Sequence, residues 1–70
     1  MDVEEVIWIR RLALNGGARV IREGAGITAS EVARELGVSP AAVSRWERGE
    51  RAPREDAAEG WAALLRRLSA

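Results

Sequence analysis

The sequence predicts an all-α fold of five short helices, and three observations carry that prediction. Apolar residues recur at three- and four-residue spacing along the chain, the period of one helix face. Small polar residues stand just ahead of these segments, where a side-chain oxygen closes the open amides of a first helical turn. Glycines at 16, 17, 24, 26, 37 and 49 fall where the periodic segments stop. The one run that reads as a short strand, Val6 to Ile9, has no second such run to pair with, so helix is preferred there too.

Taken in order, Asp2 precedes the apolar set Val3, Val6, Ile7 and Ile9, and Glu5 stands three residues on, the spacing of a reciprocal capping box. A helix is expected over 2–15, closing at Asn15-Gly16-Gly17. From Ala18, the apolar pair Val20 and Ile21 between Arg19 and Arg22 reads as a short second helix, with Gly24 and Gly26 at its exit. Thr28 and Glu31 form another capping-box pair, opening a third helix to Leu36 that Gly37 ends. Ser39-Pro40 opens the fourth, since proline at the first helical position loses an amide that has no partner anyway. That helix runs to about Arg48, with Gly49 as its stop. Arg51-Ala52-Pro53-Arg54 reads as a loop, and Ala58, Trp61, Leu65 and Leu68 recur at helical spacing in a last helix over 54–69. Their stripe serves either the monomer core or a second subunit.

The chain has 70 residues, 47% of them hydrophobic and 31% charged, the composition of a single compact domain spanning 1–70. A domain this small buries only about 60% of the surface its unfolded chain exposes, so self-association is expected to help it. It has no cysteine and no histidine, which excludes a disulfide framework and a zinc finger. Apolar runs fall far short of the ~20 residues that cross a bilayer, and no basic segment followed by an apolar stretch opens the chain, so no membrane association and a cytosolic location are expected. Catalysis is not expected either. Histidine, cysteine, tyrosine and lysine are all absent, and Gly24-Ala25-Gly26 lacks the preceding strand of a nucleotide-binding fingerprint. Neither a cofactor nor a small-molecule ligand is expected.

Eleven basic and eleven acidic residues cancel, so no global basic field exists. The distribution is uneven: Asp2, Glu4 and Glu5 are acidic, whereas Arg45, Arg48, Arg51 and Arg54 face only Glu47 and Glu50 in their segment. Every basic residue is arginine, which fits a GC-rich coding sequence and also supplies forked donors suited to phosphate and guanine. A solvated basic edge is the plainer reading of the four arginines. The tryptophans at 8, 46 and 61 are read as core rather than as stacking platforms, because each falls at a helical core position.

Residues 29–48, ASEVARELGVSPAAVSRWER, form the tightest pattern. Ala33 is small where two steeply crossed helices would approach, and Gly37 suits a turn that needs positive φ. Val32, Leu36, Val38, Val43 and Trp46 would bury the inner faces, leaving Pro40, Ala41, Ser44, Arg45 and Arg48 outward.

With ARVIREGAGIT before this stretch, EVARELGVSPAAVSRWERGE within it and RAPR after it, residues 18–68 resemble the Cro/C1-type (XRE-like) helix-turn-helix family of phage repressors and related bacterial regulators. The resemblance implies a lambda-repressor-like domain with its helix-turn-helix at 29–48, double-stranded DNA as partner, and a homodimer on a pseudo-palindromic operator with half-sites ~34 Å apart. It implies that Pro40, Ala41, Ser44 and Arg45 read bases, that Ser30, Ser39, Arg48, Arg51 and Arg54 contact phosphates, and that Arg22 pairs structurally with Glu47. Two departures thin the expected readout: Ala29 replaces a frequent glutamine, and Pro40, Ala41 and Ala42 replace polar residues. Arg45 forking onto guanine, Ser44, and the Ala41 and Ala42 methyls against thymine remain for direct reading. The resemblance therefore implies a sequence-specific transcriptional regulator, a Cro-like repressor acting in the cytosol of a bacterial host at the nucleoid. The alternative is a protein-interaction module with accessory DNA binding, antitoxin-like or a recombination directionality factor.

Overall fold

A computed structural model describes residues 2–70; Met1, counted in the expected 1–70 domain, lies outside them. The described chain is all-α, with α1 at Val3–Asn15, α2 at Gly17–Gly24, α3 at Ala29–Leu36, α4 at Pro40–Glu47 and α5 at Glu55–Ser69. No helix among the described residues is long and apolar enough to cross a membrane.

Local chemistry sets most of the boundaries. The Asp2 carboxylate accepts the Glu5 amide at 2.9 Å and so opens α1. Glu5 does not complete the expected capping box; its carboxylate instead accepts Arg66 Nε from α5 at 3.2 Å. A salt bridge to a charged donor outcompetes a return bond to an exposed backbone amide that water satisfies equally well. Asn15 Oδ1 accepts the Gly17 amide at 2.8 Å, so a single left-handed residue, Gly16, joins α1 to α2. At α3 the box is complete: Thr28 Oγ1 accepts the Glu31 amide at 3.1 Å and Glu31 accepts the Thr28 amide at 2.9 Å. Helix α5 has no side-chain cap, but Glu55 and Asp56 in its first turn and Arg66 and Arg67 in its last complement the helix dipole.

The core forms where Ile9 of α1, Ala18 of α2, Val32 and Ala33 of α3, Val43 and Trp46 of α4, and Trp61, Ala62, Leu64 and Leu65 of α5 converge. The Trp46 and Trp61 rings lie 5.2 Å apart at 52°, a tilted pair that ties α4 to α5. Burial of Ala58, Trp61 and Leu65, with Leu68 packed against the cluster, assigns the α5 stripe to the monomer core. Trp8 is half-buried, with the Arg66 guanidinium 4.5 Å from its ring centroid. One pairing of the sequence reading does not hold: Ile21 packs inward but Val20 is exposed. The inner arc of α2 runs through Ala18, Ile21 and Arg22, and at 100° per residue Val20 falls outside it.

Candidate nucleic-acid interface

The geometry begins with the turn between α3 and α4. Gly37 adopts φ 70°, where a side chain would be strained, and the Val38 amide reaches back to the Ala33 carbonyl at 2.9 Å in a Schellman closure. Ser39 Oγ then accepts the Ala42 amide at 3.1 Å and Pro40 starts α4, so the two helices are joined by three residues that each have a defined conformational task. Ala33, 1% exposed, lies in the core beneath this crossing, and a larger side chain there would push the helices apart.

This turn sets the exposed face of α4. Pro40, Ala41, Arg45 and Arg48 are exposed and Ser44 is half-buried, all along one strip. Ala42 departs from the expectation that its methyl faces outward with that of Ala41: it is half-buried and packs on the core. The reason is helical phase, since Ala42 lies one residue before Val43 and four before Trp46, both buried. Ser30 and Ser39 are exposed at the first turns of α3 and α4, and Arg51 and Arg54 are exposed in the α4–α5 connection.

The arginines divide between two sides of the strip. Arg45, Arg51 and Arg54 line one groove, together with Glu35 and Asp56. Arg48 and Ser44 line a depression on the other side with Arg19 and the Arg22–Glu47 pair. Arg19 is a cation that sequence reading passed over; its position one turn before Arg22 on the same helix was the available signal. Glu50, expected only as an acid within the basic segment, has a specific partner. Gly49, at φ 71°, turns the chain so that the Glu50 amide bonds the Arg45 carbonyl at 2.9 Å. Its carboxylate then accepts Arg48 Nε at 2.8 Å and Arg48 Nη2 at 3.1 Å. The hydrogen bonds from Arg48, with its charge and that of Arg45, hold the Glu50 carboxyl below its ordinary range, and the same pair raises Arg48. One of the cations expected to meet phosphate is thus held by an acid of its own chain.

Behind the strip, Glu47 accepts Arg22 Nε at 2.7 Å and Nη2 at 3.1 Å, and the Ile27 carbonyl accepts Nη1 at 2.8 Å. The two side chains are only 11% and 6% exposed. Every nitrogen of the guanidinium is bonded, and the Glu47 hydrogen bond is the main cause that raises Arg22 above its ordinary value. The pair fixes the rotation of α4 relative to α2, and with it which residues face outward.

A family described as helix-turn-helix matches residues 19–69, from within α2 to the end of α5, and α1 lies ahead of the matched segment. No curated protein and no solved structure matches the chain.

Proposed function

The chain belongs to the Cro/C1-type helix-turn-helix family of DNA-binding transcriptional regulators, and from that premise we propose a sequence-specific repressor of the Cro kind. In this reading it binds a pseudo-palindromic operator as a homodimer in the cytosol of a bacterial host, with α4 in the major groove of each half-site. The observation that carries the reading is the strip of exposed Pro40, Ala41, Arg45 and Arg48 with half-buried Ser44, along α4 and its C-cap, braced from behind by the buried Arg22–Glu47 pair. A braced helix presents side chains in one register, which base discrimination requires.

Arg45 is assigned the guanine fork, Ser44 a single hydrogen bond and Ala41 and Pro40 apolar contacts. Ser30 and Ser39, at the first turns of helices, and Arg48, Arg51 and Arg54 are assigned phosphates. The domain measures 27 × 23 × 19 Å, less than one ~34 Å turn of duplex, so one copy reads one half-site and symmetry supplies the second. Few side chains here read bases by hydrogen bonding, so sequence-dependent DNA shape and half-site spacing carry part of the selectivity.

Selection from a random duplex pool at two salt concentrations tests the proposal. A two-fold-symmetric consensus supports it. Recovery of no consensus at low salt rejects it in favour of the interaction-module reading, antitoxin-like or a recombination directionality factor. One observation favours that second reading: Val3, Ile7 and Leu14 are exposed on α1.

A further inference from the structure

The outer face of α1 is left largely uncovered in the monomer. Val3, Ile7 and Leu14 are 72%, 47% and 80% exposed, while the opposite face buries Ile9 with Trp8, Leu12 and Ala13 against the core. With Arg10, the exposed residues follow a 3, 7, 10, 14 pattern, the four-three-four spacing of a helix-pairing seam. Arg10 interrupts it only with its charged head, since its aliphatic stem covers apolar surface. Along one flank of the seam stand Glu4 and Arg11, both exposed and neither in an ion pair among the described residues.

We propose that this face is a docking surface for a second copy of the chain, with the two α1 helices packed antiparallel about a two-fold axis. The occupant follows from charge complementarity. In the antiparallel register that sets Val3 against the partner's Leu14, Ile7 lies against the stem of the partner's Arg10, and Glu4 falls in the same flanking gap as the partner's Arg11. Two-fold symmetry repeats every contact, so both acids meet both bases. A parallel arrangement would put Glu4 and the partner's Arg11 on opposite flanks of the seam and lose both attractions. An acid near one end and a base near the other on the same flank of one short seam suit a self-complementary partner, a second copy of the chain.

Helix α1 has 13 residues and is thus ~20 Å long, so one helix pair falls short of the ~1,200 Å² of a stable standard interface. The dimer is therefore weak in free solution and strengthened when DNA holds both copies. This inference rests on the homodimer of the proposed repressor and names its surface.

The test is sedimentation equilibrium at low salt with the full chain, beside binding to duplexes carrying one or two half-sites of the selected consensus. Glu4→Arg and Arg11→Glu each replace two attractions with two repulsions and weaken dimerisation about tenfold or more. The two variants mixed together, and the double variant Glu4→Arg/Arg11→Glu, restore opposite charges at both contacts and recover wild-type association. Recovery also separates an interface effect from damage to α1, because a misfolded helix is not repaired by a second charge reversal. Ile7→Ser weakens association in every charge background. Unchanged dimerisation in Glu4→Arg, or a mixture no tighter than its components, overturns the α1 interface. If a symmetric consensus is still bound cooperatively, the repressor reading survives that failure. A chain that stays monomeric and binds two half-sites no more tightly than one overturns the interface and the homodimer together.

Discussion

Replacing Glu47 by alanine strips two of the three hydrogen bonds, at 2.7 and 3.1 Å, from a guanidinium that is only 11% exposed. The bond to the Ile27 carbonyl remains, but a carbonyl carries no compensating charge. Truncating one member of a buried pair costs about 3 to 5 kcal/mol, because the surviving charge stays desolvated without its partner. For a domain of 70 residues the whole folding free energy is roughly 3.5 to 10 kcal/mol, so Glu47→Ala removes a large fraction of it. At ~4 to 8 °C per kcal/mol for a domain of this size, Tm falls by at least about 12 °C. Thermal and urea unfolding by far-UV circular dichroism read the effect. The double variant Arg22→Met/Glu47→Leu removes both charges and retains volume, so it recovers most of the lost stability. A Glu47→Ala domain melting within two or three degrees of wild type refutes the reasoning, as does a double variant no more stable than the single one.

Other expectations concern the reading face and the α3 cap. Arg45→Ala costs ~1 to 3 kcal/mol on the selected operator and relaxes preference at one base pair, whereas Arg48→Ala weakens all duplexes alike and lowers the salt slope by ~1. Competition binding with specific and random duplexes separates the two, and equal losses for both variants contradict the division. Glu50→Gln removes the acid that holds Arg48, so affinity for specific and random DNA rises together; salt titrations that show no gain dismiss Glu50 as a competitor for Arg48. Thr28→Ala opens the capping box and costs about 1 kcal/mol in urea unfolding. The backbone and hydroxyl bonds from Thr28 hold the Glu31 carboxyl below its ordinary value of 4.5. A lowered folded value stabilises above the unfolded one, so this contribution is full above pH 4.5 and is lost as pH falls through the depressed value. Melting curves of Glu31→Gln accordingly lie below wild type near neutral pH and converge with it in acid; a constant gap between the two curves disproves the linkage.

Helices were legible wherever their causes are local. Thr28 with Glu31, Ser39 with Pro40, and the left-handed Gly37 each act within four residues, so spacing alone reveals them. The exposed strip on α4 followed from helical phase for Pro40, Ala41, Arg45 and Arg48, but Ala42 lies at the margin of the buried arc, where phase does not decide burial. Arg22 and Glu47 lie 25 residues apart, and nothing in their separate surroundings links them; only resemblance to a family pointed to the pair that the structure shows in contact.

By itself, then, the sequence determined the all-α class, the caps and stops that define its helices, and the outward phase of most of the α4 strip, because these depend on neighbours within a turn or two. Tertiary structure alone decided that Glu5 turns to Arg66 across 61 residues, that Arg19 stands beside Arg48, and that the α5 stripe belongs to the core while the apolar stripe on α1 stays exposed. An amphipathic helix advertises that one face will be covered, but the covering surface is chosen by how all five helices share a small core. The reading face of α4 shows the same division: its residues and the local Gly49 turn that brings Glu50 onto Arg48 were in the pattern, and the Arg22–Glu47 brace behind it was made by the fold.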